Sequence, residues 1–231
     1  TYTARSSLGR NATFDYVIMD EASQVDVATG VLALSCASNA VIVGDTKQLP
    51  NVVTKDQTNV LSTIRSRYAI AEEYAFEKYS FLSSFCALMG DRIPKVMLCE
   101  HYRCHPKIIG FCNQKFYEGN LVVMTKGEEA NALQLVTTVA GNHKRGRINQ
   151  RQIDVIEQEI LPHIHCPKSE IGIIAPYRDQ VQQLRAALAD PEIEVDTIHK
   201  FQGREKDVII LSCVDDIVTP FSDDPHLLNV A

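Results

Sequence analysis

Two acids stand side by side in the stretch FDYVIMDEASQVD, where the apolar run Val17-Ile18-Met19 ends in Asp20 and Glu21. Adjacent carboxylates repel each other unless water, a cation or a shared task separates them. A second acidic end follows in VIVGDTKQLP, with Gly44, Asp45 and Gln48. Ligands of open parallel sheets sit beyond the carboxyl ends of the strands, so both groups can face one crevice. An apolar strand that ends in Asp-Glu is the Walker B pattern. There the Asp holds Mg²⁺ through water, and the Glu orients or deprotonates the attacking water. A solvated strand end explains the dipeptide alone equally well. The second acidic end, with Gln48 close behind it, weighs toward catalysis.

Two later stretches carry chemistry of the same kind. In CEHYRCHP, Tyr102 offers a flat face and Arg103 a fork-shaped cation suited to phosphate. In DTIHKFQGREKDVIILSCV, Gln202, Gly203, Arg204 and Glu205 form a polar loop directly before an apolar run. Gly203 permits close backbone approach, and Glu205 can accept hydrogen bonds from a sugar hydroxyl.

The elements that must position these groups alternate along the chain. Val17 to Met19, Val41 to Val43, Leu133 to Val139, Ile171 to Ala175 and Val208 to Val214 have the pattern of strands. Several are continuously apolar, as parallel strands covered on both faces are. Ile153, Ile156 and Ile160 share a helical face between Asn149, a candidate N-cap, and His165. Val181, Leu184 and Leu188 repeat that spacing after Asp179. The alternation predicts an α/β fold with a mainly parallel sheet. Gly90, Asp91 and Pro94 in MGDRIPKV interrupt the pattern and divide the chain into residues 1–93 and 94–231. Lys55 to Leu88, rich in helix formers and aromatics, shows no chemistry of its own.

With 231 residues, 45% hydrophobic and 23% charged, the chain has the balance of an ordinary globular protein. No apolar run approaches the roughly 20 residues that span a bilayer, so no membrane partner is expected. The seven cysteines are scattered with no Cys-x-x-Cys pair, which favours a reducing, cytoplasmic setting over a disulfide framework. A net charge of −6 leaves only local basic groups for nucleic acid, such as Lys144, Arg145 and Arg147. His101, Cys104, His105 and Cys112, and likewise His163, His165 and Cys166, lack the paired spacing of a structural zinc site.

The ordered series VIMDEASQ, VIVGDTKQLP, EHYRCHP, IAPYRDQV and DTIHKFQGREKDVIILSCV resembles a superfamily 1 helicase. It is most similar to the branch of the nonsense-mediated-decay helicase and its bacterial relatives, and the match covers nearly the whole chain. The resemblance implies two RecA-like (P-loop NTPase) lobes, ATP and Mg²⁺ bound between them, and movement along a single strand of DNA or RNA. It implies that Asp20 holds Mg²⁺, Glu21 activates water and Gln48 senses the γ-phosphate. Tyr102 would stack on the base and Arg103 would reach the γ-phosphate. Gly203 and Glu205 would meet the terminal phosphate and the ribose. Tyr177 and Thr197 are candidates for the nucleic-acid backbone.

Two departures accompany the match. The family's phosphate loop, Gly-x-x-x-x-Gly-Lys-Ser/Thr, is absent from the nineteen residues before Asp20. Its one imitation, GNHKRGRI from Gly141 to Ile148, carries Arg147 in place of the Lys and Ile148 in place of the hydroxyl, and is read as a basic surface loop. PHLLNVA resembles only the start of the last motif. The expectation is therefore a partial first lobe followed by most of a second, inactive on its own, from an ATP-dependent helicase. A non-enzymatic interaction module on the same fold, or the helicase part of a helicase-nuclease, are the alternatives.

Overall fold

The computed structural model describes residues 2–7, 9, 12–127, 132–141 and 143–230. Asn142 of GNHKRGRI and Ala231 of PHLLNVA lie outside the described residues. The chain divides into two units, Thr1–Met97 and Leu98–Ala231.

The first unit runs α1 (Tyr2–Ser7), β1 (Phe14–Met19), α2 (Val27–Leu34), β2 (Ala37–Ile42), α3 (Lys55–Tyr68) and α4 (Phe81–Met89). Its strands pair in parallel, from Phe14 opposite Ala37 to Met19 opposite Ile42. Each longer helix begins on a side chain able to accept an orphan N–H. Asp26 accepts from Thr29 N, Thr54 from Gln57 N, and Ser80 from Ser83 N. Met19, Ala22, Ala33, Phe81 and Leu82 form the core, so the residue before Asp20 is packed although Asp20 itself is exposed.

The second unit runs β3 (Glu100–His101), α5 (Pro106–Phe116), β4 (Val122–Val123), β5 (Lys144–Arg145), β6 (Ile148–Asn149), α6 (Gln150–Val155), β7 (Ile171–Ala175), α7 (Arg178–Leu188), β8 (Glu194–Thr197), α8 (Ile198–Phe201), β9 (Val208–Leu211) and α9 (Pro225–Val230). The main sheet has the order β8-β7-β9, all parallel, and β3 pairs with β4 in parallel. Every residue of the central strand β7 is buried, which explains its unbroken apolar sequence. Ile153, Ile156, Ile173, Val181, Leu184 and Val195 make the core between that sheet and helices α6 and α7.

Three expected elements differ, one of them the strand expected over Val208 to Val214, which ends at Leu211. Leu133 to Val139 forms no strand, and Leu135 is 89% exposed. An apolar run becomes a strand only where a neighbour completes its hydrogen-bond ladder, and none of the sheets includes it. The helix expected up to His165 is regular only in α6. It widens into a π-turn over Ile156–Ile160, with Leu161 N bonded to Ile156 O, and ends in a 3₁₀ turn over Leu161–His163. Pro162 has no N–H to continue an α-helical ladder. Asn149 does cap α6, its Oδ1 accepting from Gln152 N at 3.2 Å.

A buried polar network ties the second unit together. Gln180, fully buried on α7, accepts from Asn149 N at 2.9 Å and donates to Asn149 O at 3.3 Å and Ser212 Oγ at 3.0 Å. Gln152 Oε1 accepts from both Ser212 Oγ and Val214 N, each at 2.9 Å, and Asn149 Nδ2 donates to Val214 O at 3.1 Å. Val214 is fully buried at a φ of 64°, a conformation that a β-branched residue adopts only under compulsion. Both of its backbone groups are held by this network, which supplies the compulsion. Replacing Gln180 with Leu strands the Asn149 N–H and takes one bond from the Ser212 hydroxyl, which keeps Gln152, and is expected to cost about 1–3 kcal/mol. Urea unfolding of the intact chain measures this, together with faster amide exchange at Asn149 and Val214. The exposed neighbour change Gln183→Leu should stay within about 0.5 kcal/mol.

Candidate nucleotide and strand site

In the first unit, the ends of β1 and β2 are laced together beyond the strands. Val43 N donates to Met19 O at 2.8 Å, and Ala22 N donates to Val43 O at 3.0 Å. A Cβ on Gly44 would sit 3.1 Å from Ala22 N and 3.2 Å from Ser23 N, so the absent side chain is what lets the two ends meet. Close approach, rather than a turn needing positive φ, is the reason for glycine here. Glu21 has a φ of 50°, its N–H donates to Asp20 Oδ1 at 2.8 Å, and its Oε2 accepts from Gln24 Nε2 at 3.1 Å. A left-handed non-glycine residue costs on the order of 1–2 kcal/mol, and such strain concentrates where geometry serves a site. Both carboxylates are exposed. In the second loop, Asp45 accepts from Lys47 N through Oδ1 at 2.8 Å and from Gln48 N through its carbonyl at 3.2 Å, and Gln48 is half-buried.

Hard oxygen donors on exposed carboxylates at these strand ends fit Mg²⁺, which keeps several waters and needs only one or two protein carboxylates. Among the described residues no group of three or more His, Cys, Asp or Glu side chains gathers as a dedicated metal cage. One ring nitrogen of each of two candidate zinc ligands is engaged with backbone instead. His101 Nε2 accepts from Cys104 N at 2.8 Å, and His105 Nδ1 accepts from Lys107 N at 3.2 Å at the start of α5.

In the second unit, Arg103 and Glu205 come together, with Nε and Oε1 2.7 Å apart, although 102 positions separate them in sequence. Their side chains are 71% and 66% exposed, so solvent screens the pair and it adds little stability. Tyr102 is exposed and its hydroxyl bonds to Glu100, which pushes the phenol pKa up. Gly203 turns the loop before β9 at a φ of 78°. Its neighbour Arg204 pairs with Glu194, and Lys206 donates to Ser169 O at 2.6 Å. Thr197 stands at the N-cap position of α8 without a side-chain cap bond, and its N–H donates to Asp196 Oδ1 at 2.8 Å.

Tyr177 belongs to a second cluster, where β7 and β9 end. Its hydroxyl donates to Asp215 Oδ2 at 2.9 Å, and Lys144 bonds to Asp215 Oδ1. The Asp215 side chain is 3% exposed. Burial pushes its pKa up, but the bonds from Lys144 and Tyr177 outweigh burial and hold it below its ordinary value. The same bond raises Lys144, while burial and then Asp215 raise Tyr177. Sequence reasoning missed Asp215 and Glu100. The signal for Asp215 was an acid just past an apolar run, the same rule that marks Asp20.

Family models described as AAA domains match residues 1–56 and 78–231. The chain is 29% identical over 232 residues to the DNA replication ATP-dependent helicase/nuclease of Gallus gallus, covering 94% of this chain and 22% of that protein. It is 30% identical over 241 residues to a 5'-3' DNA helicase of Mus musculus, covering 94% and 12%. It is 30% identical over 232 residues to the probable helicase senataxin of Homo sapiens, covering 87% and 8%. The chain thus spans less than a quarter of the length of these relatives. With parallel sheets flanked by helices, acidic strand ends and a family match over most of its length, the chain has the RecA-like P-loop fold and belongs to the superfamily 1 helicases.

Proposed function

We infer that the polypeptide carrying this chain hydrolyses ATP and couples hydrolysis to movement along a single strand of DNA or RNA. The observation that carries the reading is the laced end of β1 and β2, which presents Asp20 and Glu21 side by side with Glu21 held in a left-handed backbone. Asp20 is the residue to hold Mg²⁺, and the bound ion would neutralise charge on the phosphates. Glu21 accepts the proton of the attacking water, and its bond from Gln24 fixes the direction of that carboxylate. Gln48, on the loop after β2, would report the state of the γ-phosphate. From the second unit, Tyr102 offers a ring to the base, Arg103 a guanidinium to the γ-phosphate, and Gly203 and Glu205 close approach to phosphate and ribose. Because Arg103 is paired with Glu205, nucleotide entry has to part them, and the exposed pair makes that cheap. Tyr177 and Thr197 serve the strand. The two lobes would correspond to residues 1–93 and 94–231.

A cytoplasmic setting fits seven cysteines that form no disulfide with one another. Among the described residues no helix is long and apolar enough to cross a membrane.

In the intact polypeptide, Glu21→Gln should abolish steady-state phosphate release while nucleotide binding survives, because only the proton acceptor is lost. Retained turnover in that variant would sink the assignment. Arg103→Lys should fail to rescue Arg103→Ala, with both losing roughly a thousandfold or more in kcat, since an ammonium cannot reproduce the forked contact. Single-turnover phosphate release with saturating ATP checks it, and near-normal turnover by the lysine variant would contradict the role.

A further inference from the structure

The cluster around Asp215 lies where ligands of parallel sheets are expected, past the carboxyl ends of β7 and β9. Strands β5 and β6 form an antiparallel hairpin that reaches this place, with Lys144 opposite Asn149 and Arg145 opposite Ile148. Gly146, at a φ of 62°, is the first of its two turn residues, the position where a two-residue hairpin demands glycine. The hairpin is not a loose basic loop, because the buried network grips Asn149 at its base. Its three cations nevertheless differ in what they do. Lys144 is committed to the buried Asp215 carboxylate. Arg145 donates to Lys144 O at 2.8 Å. Arg147 is exposed at the turn, its guanidinium 5.7 Å from the Tyr177 ring centroid, and it makes no carboxylate pair among the described residues.

The ring itself is already occupied. Phe221 stacks on Tyr177 at 5.6 Å and 20°, and Lys144 lies 5.7 Å from the same centroid. A ring so engaged, with its hydroxyl given to Asp215, is a platform for cations rather than a surface for a base. What such a platform offers outward is an oriented guanidinium, and the chemistry that meets it is a phosphate oxygen.

Building on the helicase reading, we propose that the β5–β6 hairpin is a strand-backbone site in which Arg147 contacts a phosphate of single-stranded nucleic acid while Asp215 withholds Lys144 from that role. The site is indifferent to base identity, because its aromatic ring, Tyr177, is already stacked on Phe221 and flanked by Lys144 and Arg147. It is also local, which reconciles strand binding with a chain of net charge −6.

The test is titration of a fluorescently labelled oligothymidylate with the intact polypeptide at several salt concentrations. Arg147→Gln should weaken binding roughly three- to tenfold and reduce the slope of log K against log salt by about 0.7, the share of one phosphate contact on a single strand. Arg147→Lys should restore the slope, because it restores the charge. The double change Lys144→Met with Asp215→Asn, which removes the pair without leaving a buried charge, should keep the wild-type slope. An unchanged slope in Arg147→Gln, or a loss of about 0.7 in the double variant, overturns the assignment. So does a loss of affinity for ATP in the absence of strand, which would place Arg147 at the nucleotide. A wild-type protein that binds the strand and hydrolyses ATP, while Arg147→Gln keeps the wild-type slope, overturns this site alone. One that neither binds strand nor hydrolyses ATP overturns the helicase reading with it.

Discussion

The buried side chain of Gln180 is the constraint on which the second unit depends. It satisfies the backbone of Asn149 on one side and the hydroxyl of Ser212 on the other, so it fixes a hairpin, a helix and a strand end to one another at once. A buried amide earns its place only when nearly all of its hydrogen-bonding groups are met, and a half-met one costs more than an apolar substitute. Here the amide oxygen accepts once and its nitrogen donates twice. The consequence runs outward. Gln152 joins the network and pins Val214 in a left-handed conformation, and the next residue, Asp215, thereby enters the cluster that collects Lys144 and Tyr177. Core packing alone would leave those strand ends free to choose among conformations.

The first unit solves the same problem by other means. Its strand ends meet through backbone bonds between Met19, Val43 and Ala22, and the missing side chain of Gly44 permits the approach. The strain at Glu21 is local and is carried by a packed base of Met19, Ala22 and Leu82. In both units the packed part is the core behind the strand ends, while most of the groups proposed to act on ligands, Asp20, Glu21, Tyr102, Arg103, Gly203 and Glu205, stand exposed beyond it. That division suits a protein whose ligands arrive and leave repeatedly: the scaffold is fixed, and exposed pairs such as Arg103 with Glu205 part at little cost.

Much of the scaffold is legible in the amino-acid sequence, for reasons that can be named. Ile171 to Ala175 is read as a strand because it is apolar throughout, and it is so because both faces are covered. The acids past the strands of the first unit are visible because charge follows directly on an apolar run. Other features are hidden by distance. Gln180 falls on the apolar face of its helix beside Val181 and Leu184, a polar intrusion that periodicity treats as noise, and its partners lie 31 and 32 positions away. Leu133 to Val139 has the composition of a strand and lacks only a neighbour, which no local pattern can supply. The hairpin at Gly146 is marked in the sequence only by a glycine between two arginines, a pattern that suits a basic surface loop equally well. The pairing of Arg103 with Glu205 joins two motifs that sequence presents as separate.

The central claim is that the exposed groups at these strand ends serve a nucleotide whose hydrolysis is linked to a strand. Steady-state phosphate release from ATP by the intact polypeptide, with and without single-stranded nucleic acid and with Mg²⁺ present or chelated, tests that claim most directly. The account predicts release that requires Mg²⁺ and rises when the strand is added. Absence of hydrolysis under every condition, or hydrolysis indifferent to both the strand and the metal, would contradict it.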